Sequence, residues 1–487
     1  MPPSMTRRAV IASGAALCGA GWTAAWGAGV SGTLSPSDMR ADVALLRRAY
    51  EALHPGLLRY RTAAESAAGF DRLADAARAP MGLAAFYLLL SRHLATLRCG
   101  HSYVNFYNQS KAVRAALFDA PDRLPLEFLW LDGRMVVTAD PWSTGIAPGS
   151  EVLSMEGRPA GAVLESLMTI ARADGGNDVK RRRLLSVQGE DGYETFDVFH
   201  SLMFGGRPRY RLEVAGPDGR RRSAAVEAVT LEQRRAVRPK PVDASGDAPV
   251  WTMERRGGTA VLTMPNWGLY NSKWDWSAWI DREMDRLIDD GVRLLVIDVR
   301  RNEGGLDCGD RIVARLIDRP VAASPYRRLV RYRRIPDDLR PRLDTWDRSF
   351  DDWGADATPV DDRYLALKRG DEEGAVISPR GRRFAGEVAV LVGPQNSSAT
   401  FQFAQLMRRE RLGRLVGETT GGNRRGINGG AFYFLRLPAT GLEVDLPLIG
   451  YFPSAPEPDG GLEPDEAVRL TAAHVAAGRD PVLEAVA

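Results

Sequence analysis

"EVAVLVGPQNSSATFQFAQLM", residues 387–407, is the stretch on which the fold turns. Val388 to Val392 is an unbroken apolar run, as expected of a strand buried on both faces. The residues after Ser398 carry apolar positions at helical spacing, and "MRRERLG" closes that helix. Two serines, Ser397 and Ser398, therefore sit in a strand-to-helix turn. Serine is a favoured N-cap, because its hydroxyl accepts a hydrogen bond from an orphan N–H of the first turn. A serine at a helix N-terminus also sits where the dipole favours developing negative charge, and the following N–H, of Ala399, can face an oxyanion. Taken alone, the stretch favours capping.

The same pattern recurs upstream. "VRLLVIDVR" (292–300) is another buried-strand run and leads into "RNEGGLDCGDRIVARLID". In open α/β sheets, reactive groups gather at the carboxyl ends of strands. There "DVRRNEGG", Asp298 to Gly305, is either a tight turn or a backbone nest that presents N–H groups to an anion. Downstream lie a short strand in "RLVGETTGG" and a hairpin, "AFYFLRLPATGLEVDLPL", turning near Ala439-Thr440-Gly441. Residues 250–487 thus read as α/β.

Residues 31–120 read as a helical module, with Ser35 or Ser37 capping the first helix. It ends in "LRCGHSYVNFY", where Gly100 breaks a helix and residues 102–107 alternate towards a strand. Residues 121–240 change to short strands with turns at Asp132-Gly133 and Pro217-Asp218-Gly219. Within them, residues 145–168 hold a strand after Pro148-Gly149, a turn at Glu156-Gly157 and an amphipathic helix. That order resembles the latter half of a PDZ domain, a fold that binds peptides by strand addition. Residues 238–249 read as a linker.

The chain has 487 residues, 44% of them hydrophobic and 26% charged, with a net charge of +3. That balance gives no reason to expect a nucleic-acid partner, and the arginine clusters at 179–184 and 326–334 read as solvated faces. Residues 1–30 differ: Arg7 and Arg8 precede an Ala/Gly-rich apolar segment and small residues, the pattern of an export signal, with the paired arginines suggesting the twin-arginine type. No later segment is long and apolar enough to span a membrane. The mature chain is expected to be soluble and periplasmic or secreted. Its cysteines would then be Cys99 and Cys308, which flank the two motifs of interest and are expected near each other; whether they pair stays open.

A serine hydroxyl needs a base. Of five histidines, His93 and His474 read as ordinary helix residues, His54 as a helix end before a proline and His200 as lacking a glycine or polar context, whereas His101 follows Gly100 at a helix-to-strand break. The ordered set "LRCGHS" (97–102), the PDZ-like segment, "DVRRNEGG" (298–305), "SSAT" (397–400) and "VGETTGG" (416–422) resembles the S41 serine peptidases, which include carboxy-terminal processing and tricorn core proteases. The resemblance implies a ClpP/crotonase-like core of ββα units behind a helical module and a PDZ-like β module.

By the same resemblance, the nucleophile falls on Ser398, with Ser397 as cap. The oxyanion donors fall on Gly304 or Gly305 and on Ala399. The lysine base of the processing branch would fall on Asn423, which cannot serve. The tricorn-like branch uses a histidine, matched by His101, although Cys99 stands where that motif has an acid. A supporting glutamate falls on Glu457, with Glu463 second, and Phe401 replaces a glutamate common in the family. The expected protein is an exported serine peptidase acting on a peptide or protein, its C-terminal segment included, and needing no metal or cofactor. Two alternatives stay open: a peptide-binding protein on a degenerate scaffold, and an esterase or amidase using the same serine.

Overall fold

A computed structural model describes residues 32–189, 192–238, 244–368 and 376–486. The export-signal segment lies outside the described residues, as does part of the 238–249 linker.

Five parallel strands form the sheet that carries the site: Glu466–Ala467, Arg414–Gly417, Glu387–Val392, Leu294–Asp298 and Thr259–Thr263, in that order, with Thr252–Arg256 added antiparallel at one edge. One face buries Leu295, Ile297, Val388, Val390 and Val392 against the helices Trp276–Asp289, Gly309–Val313 and Ser398–Arg409. The other face buries Val296, Ala389, Leu391 and Val416 under Val482 and Val486 of the C-terminal segment. Coverage on both sides is why these strands read as continuous apolar runs.

Two two-stranded sheets and two larger antiparallel ones accompany the parallel sheet among the described residues. One pairs Asn428–Arg436 with Glu443–Pro453, the expected hairpin, and continues through Tyr326–Val330. The other lies within residues 127–227 and includes the hairpin at Asp132 and Gly133, whose φ values of +49° and +78° suit a two-residue turn. The helices Pro36–Leu53, Ala63–Ala76 and Leu83–Ala95 form the N-terminal part, and Ser35 caps the first by accepting from the Asp38 N–H. Tyr50, Phe86, Phe128, Phe196 and Tyr433 belong to one apolar core, so the N-terminal helices, the 127–227 sheet and the Asn428–Pro453 hairpin are packed as one body.

Two local expectations need correction. Residues 102–107 form turns, not a strand. The Asn105 side chain accepts from the Tyr107 N–H and donates to Asp445, while Gln109 bonds the carbonyls of Asn105 and Glu443. Side-chain bonds of this kind compete with a strand ladder. The cluster at 179–184 is not a solvated face: it lies in the helix Asp178–Leu184, with Lys180 and Arg181 buried. Cys99 and Cys308 are both buried as free thiols. Cys99 sits beside Asn428 Nδ2 at 3.3 Å, whereas Cys308 lies in the apolar core of the parallel sheet.

Candidate active site

The carboxyl ends of the strands Leu294–Asp298 and Glu387–Val392 deliver two loops side by side. Asn396 ties them together: its Oδ1 accepts from the Gly393 N–H, and its Nδ2 donates to the carbonyls of Val299 and Asn302. Asn302 extends the link by donating to the Met264 carbonyl and accepting from the Thr400 hydroxyl and the Gly304 N–H. Asn302, Asn396 and Thr400 are fully buried. Satisfied buried networks of this kind fix one arrangement, because an unpaired polar group there would be costly.

On this frame the two serines diverge. Ser397 is extended at the N-cap position, but its hydroxyl caps nothing: it is buried and donates to the Glu303 carbonyl at 3.1 Å. Ser398 is half-buried and held at φ +50°. A left-handed conformation costs a non-glycine residue about 1–2 kcal/mol, and such strain clusters at functional sites. The first helical bond of the following helix runs from the Phe401 N–H to the Ser397 carbonyl. The Ala399 N–H, two residues earlier, has no hydrogen-bond partner among the described residues. Phe401 is buried, and a Cβ added at Gly422 would come within 2.2 Å of its ring. The ring thus fills the space under the "TTGG" turn where a glutamate was expected.

The paired glycines play different parts. At Gly304 (φ +117°) an added Cβ would come within 2.9 Å of Ser398 Cβ and 3.0 Å of the Ala399 nitrogen. Its own N–H is taken by Asn302 Oδ1 at 2.9 Å. Gly305 (φ +137°) lies against Trp267, with an added Cβ 2.3 Å from that carbonyl. Its N–H has no partner among the described residues. The Ala399 amide thus adjoins Ser398 directly, and that of Gly305 follows the glycine packed against Ser398.

His101 is half-buried on the Cys99–Ser102 turn, with its ring 5.7 Å from that of Phe432 and its Nδ1 buried without a partner. Burial lowers its pKa below the ordinary value; Arg172 and Lys180 act in the same direction, and Asp174 and Glu303 oppose them. The imidazole is thus held neutral, the form that accepts a proton. No hydrogen bond joins His101 to Ser398 in this structure. The link between their surroundings is Glu303: its carbonyl accepts from Ser397, it precedes Gly304, and its carboxylate pairs with Lys180 at 2.7 Å. Glu303 is exposed, and its partner Lys180, with Arg172, holds its carboxyl well below the ordinary carboxylate range.

Glu457 is engaged elsewhere, its carboxylate paired with Arg424 at 2.7 Å and its carbonyl accepting from Arg425. Glu463 accepts from the Thr419 hydroxyl. Asn423 is fully buried and donates to the Asp174 carbonyl at 3.0 Å and to Asp459 at 2.8 Å. Sequence reasoning missed Asp174, Lys180, Asn302 and Asn396. The signal for the asparagines was present, since "RNEGG" and "QNSS" place one just before each loop's working residues.

A serine at a strand-to-helix turn, an open amide beside it and a neutral histidine on a neighbouring turn define the class of serine-type peptidases. The model of peptidase family S41 matches residues 258–466, the span from the Thr259–Thr263 strand through both loops to the last strand of the parallel sheet. Residues 258–466 thus carry the peptidase family S41 domain. Among solved structures it is similar to mature CPAF complexed with lactacystin, at 16% identity over 93% of this chain and 97% of that one, with a TM-score of 0.61. It is also similar to a CPAF mutant, at 15% identity, 91% and 94% coverage and a TM-score of 0.60. Mature CPAF matches at 15% identity with the same coverages and a TM-score of 0.56. These likenesses show a shared fold. No curated protein matches by sequence. Among the described residues no helix is long and apolar enough to cross a membrane.

Proposed function

We propose that Ser398 is the nucleophile and His101 the base of an exported serine peptidase, with the Gly305 and Ala399 amides as the oxyanion hole. The observation that carries this reading is the half-buried Ser398 at φ +50°, packed against Gly304 and followed by the Ala399 amide at the start of the helix. Ser398 Oγ bonds to the peptide carbonyl carbon as its proton passes to the neutral imidazole, and the oxyanion is held by the two N–H groups. The C–N bond then breaks, with the amine leaving with the proton from His101. Water, deprotonated by the same imidazole, releases the acyl group and restores Ser398. Apo active sites often hold catalytic hydrogen bonds long or unmade, so closure onto Ser398 belongs to the substrate complex.

A fluorophosphonate probe is expected to label the wild type and spare Ser398→Ala and His101→Ala. Equal labelling of all three would overturn the assignment. The unmade His101–Ser398 bond favours one second reading, a peptide-binding protein on this scaffold; it predicts unchanged peptide affinity in Ser398→Ala and no turnover by the wild type. Comparing ester with peptide turnover separates an esterase. Residues 1–30 serve export in this reading, and the 127–227 sheet presents the peptide to the site; N-terminal sequencing of the extracytoplasmic protein tests the first.

A further inference from the structure

One carboxylate meets the His101 turn at Gly100. The Gly100 N–H donates to Asp174 Oδ1 at 2.9 Å. A Cβ added at Gly100 would lie 2.7 Å from Asp174 Oδ2, so only glycine admits the carboxylate this closely. Asp174 is 4% exposed, and its charge acts on both Cys99 and His101. Cys99 itself is a thiol whose pKa burial pushes up to about 11, so it supplies no negative charge beside His101.

The loop carrying Asp174 is anchored from the peptidase core. Asn423 Nδ2 donates to the Asp174 carbonyl and to Asp459 Oδ1, Asp459 accepts from the Gly176 N–H at 2.8 Å, and the Gly175 N–H donates to the Arg98 carbonyl at 2.9 Å. The space is filled: a Cβ at Gly175 would come within 2.1 Å of both Asn423 and Asp459. Asn423 occupies the position where the related branch carries its lysine base, and here its amide braces the loop that faces the histidine.

Resting on the Ser398–His101 reading, we propose that Asp174 is the positioning residue of the His101 base. It holds the Gly100–His101 turn and stabilises the imidazolium formed during the reaction, and Asn423 fixes it in place. It takes over the role expected of the acid at position 99 and of Glu457. A histidine that accepts a proton in a buried site gains from a fixed carboxylate nearby, without that carboxylate taking the proton. The charged groups facing His101 are Asp174 and Glu303 on the acidic side and Arg172 and Lys180 on the basic side.

The test is the pH profile of probe labelling and of peptide kcat and KM for the full chain, comparing the wild type with Asp174→Asn, Asn423→Ala, Glu457→Gln and Ser398→Ala. Asp174→Asn keeps an acceptor for the Gly100 N–H and removes the charge. It is expected to lower kcat about 100-fold with KM nearly unchanged. It should also move the acid limb to lower pH, because loss of the carboxylate lowers the His101 pKa. Asn423→Ala, which leaves the carboxylate in the chain, should lower kcat about 10-fold and move the limb the same way; it keeps the test open if Asp174→Asn does not fold. Glu457→Gln should leave the limb in place. An unmoved limb in Asp174→Asn, or a limb moved by Glu457→Gln alone, overturns the proposal while loss of labelling in Ser398→Ala still upholds the parent reading. Labelling that persists in Ser398→Ala overturns the parent reading itself.

Discussion

Gly304 lies directly against Ser398: a Cβ at Gly304 would stand 2.9 Å from Ser398 Cβ and 3.0 Å from both the Ala399 nitrogen and the Ser397 carbonyl. Those neighbours are backbone or a short side chain in a loop braced by buried Asn302 and Asn396, so the added carbon cannot be accommodated by a rotamer change. The backbone at φ +117° adds a second penalty for any residue with a Cβ. Gly304→Ala should therefore displace Ser398, the proposed nucleophile, lowering kcat by about 100-fold or more, since misplacement on the order of 1 Å costs that much. Steady-state peptide hydrolysis, with circular dichroism to confirm folding, reads this out; activity within a few-fold of wild type would count against the contact.

Strain at Ser398 makes a prediction that needs no activity. At φ +50° an alanine keeps the left-handed penalty of about 1–2 kcal/mol, whereas a glycine removes it. Both Ser398→Ala and Ser398→Gly should be inactive, but Ser398→Gly should unfold at higher denaturant, by about 1 kcal/mol relative to Ser398→Ala. Equal midpoints would mean that position 398 carries no strain.

His200 offers a pH prediction away from the site. It is buried beside Phe196, Phe204 and Tyr210, and burial, with Arg158 and Arg207 adding to it, lowers its pKa to about 4. Below about 6.5 the unfolded chain takes up a proton that the native state refuses until about 4, so this residue costs stability as pH falls across that window. The loss is up to about 1.4 kcal/mol per pH unit. His200→Phe removes it. The stability advantage of the variant over wild type should therefore grow as pH falls from 6.5 towards 4 and stay constant above 7. Urea unfolding at pH 7, 6 and 5 measures the difference, and Asp445 and Glu443, whose pKa values burial raises to about 7, cancel in the comparison.

What was legible in the chain follows from the range of the forces involved. The strands Leu294–Asp298 and Glu387–Val392 and the helix Ser398–Arg409 appear where apolar runs and periodicity put them, because sandwiching between two covered faces writes itself into consecutive residues. The turn at Asp132-Gly133 was equally visible, since its φ values select those residue types. Asp174 and Lys180 were not, because their meaning lies in partners far along the chain. Asp174 meets Gly100, 74 residues away, and Lys180 meets Glu303, 123 residues away. "VKRRRL" looks the same whether solvated or packed against the peptidase loop, and no local pattern separates the two. Ser397 failed for a related reason: its position is a cap, but its hydroxyl bonds a carbonyl from another loop.

Asn423 tests whether the site can be converted to the lysine-based chemistry of the related branch. Its side chain is fully buried, its amide spans the Asp174 carbonyl and Asp459, and the backbone of Gly175 leaves no room for a longer chain. A lysine here would bury an ammonium against Asp459 and lose the bond to the Asp174 carbonyl, at a cost of about 1–3 kcal/mol for the orphaned acceptor. Asn423→Lys should therefore lose at least about 10-fold in kcat rather than gain a second base. Its residual labelling by a fluorophosphonate should still vanish in the double variant with His101→Ala. Labelling that survives in the double variant would mean that the lysine reaches Ser398 and that position 423 faces the nucleophile, in conflict with the bracing contacts found here.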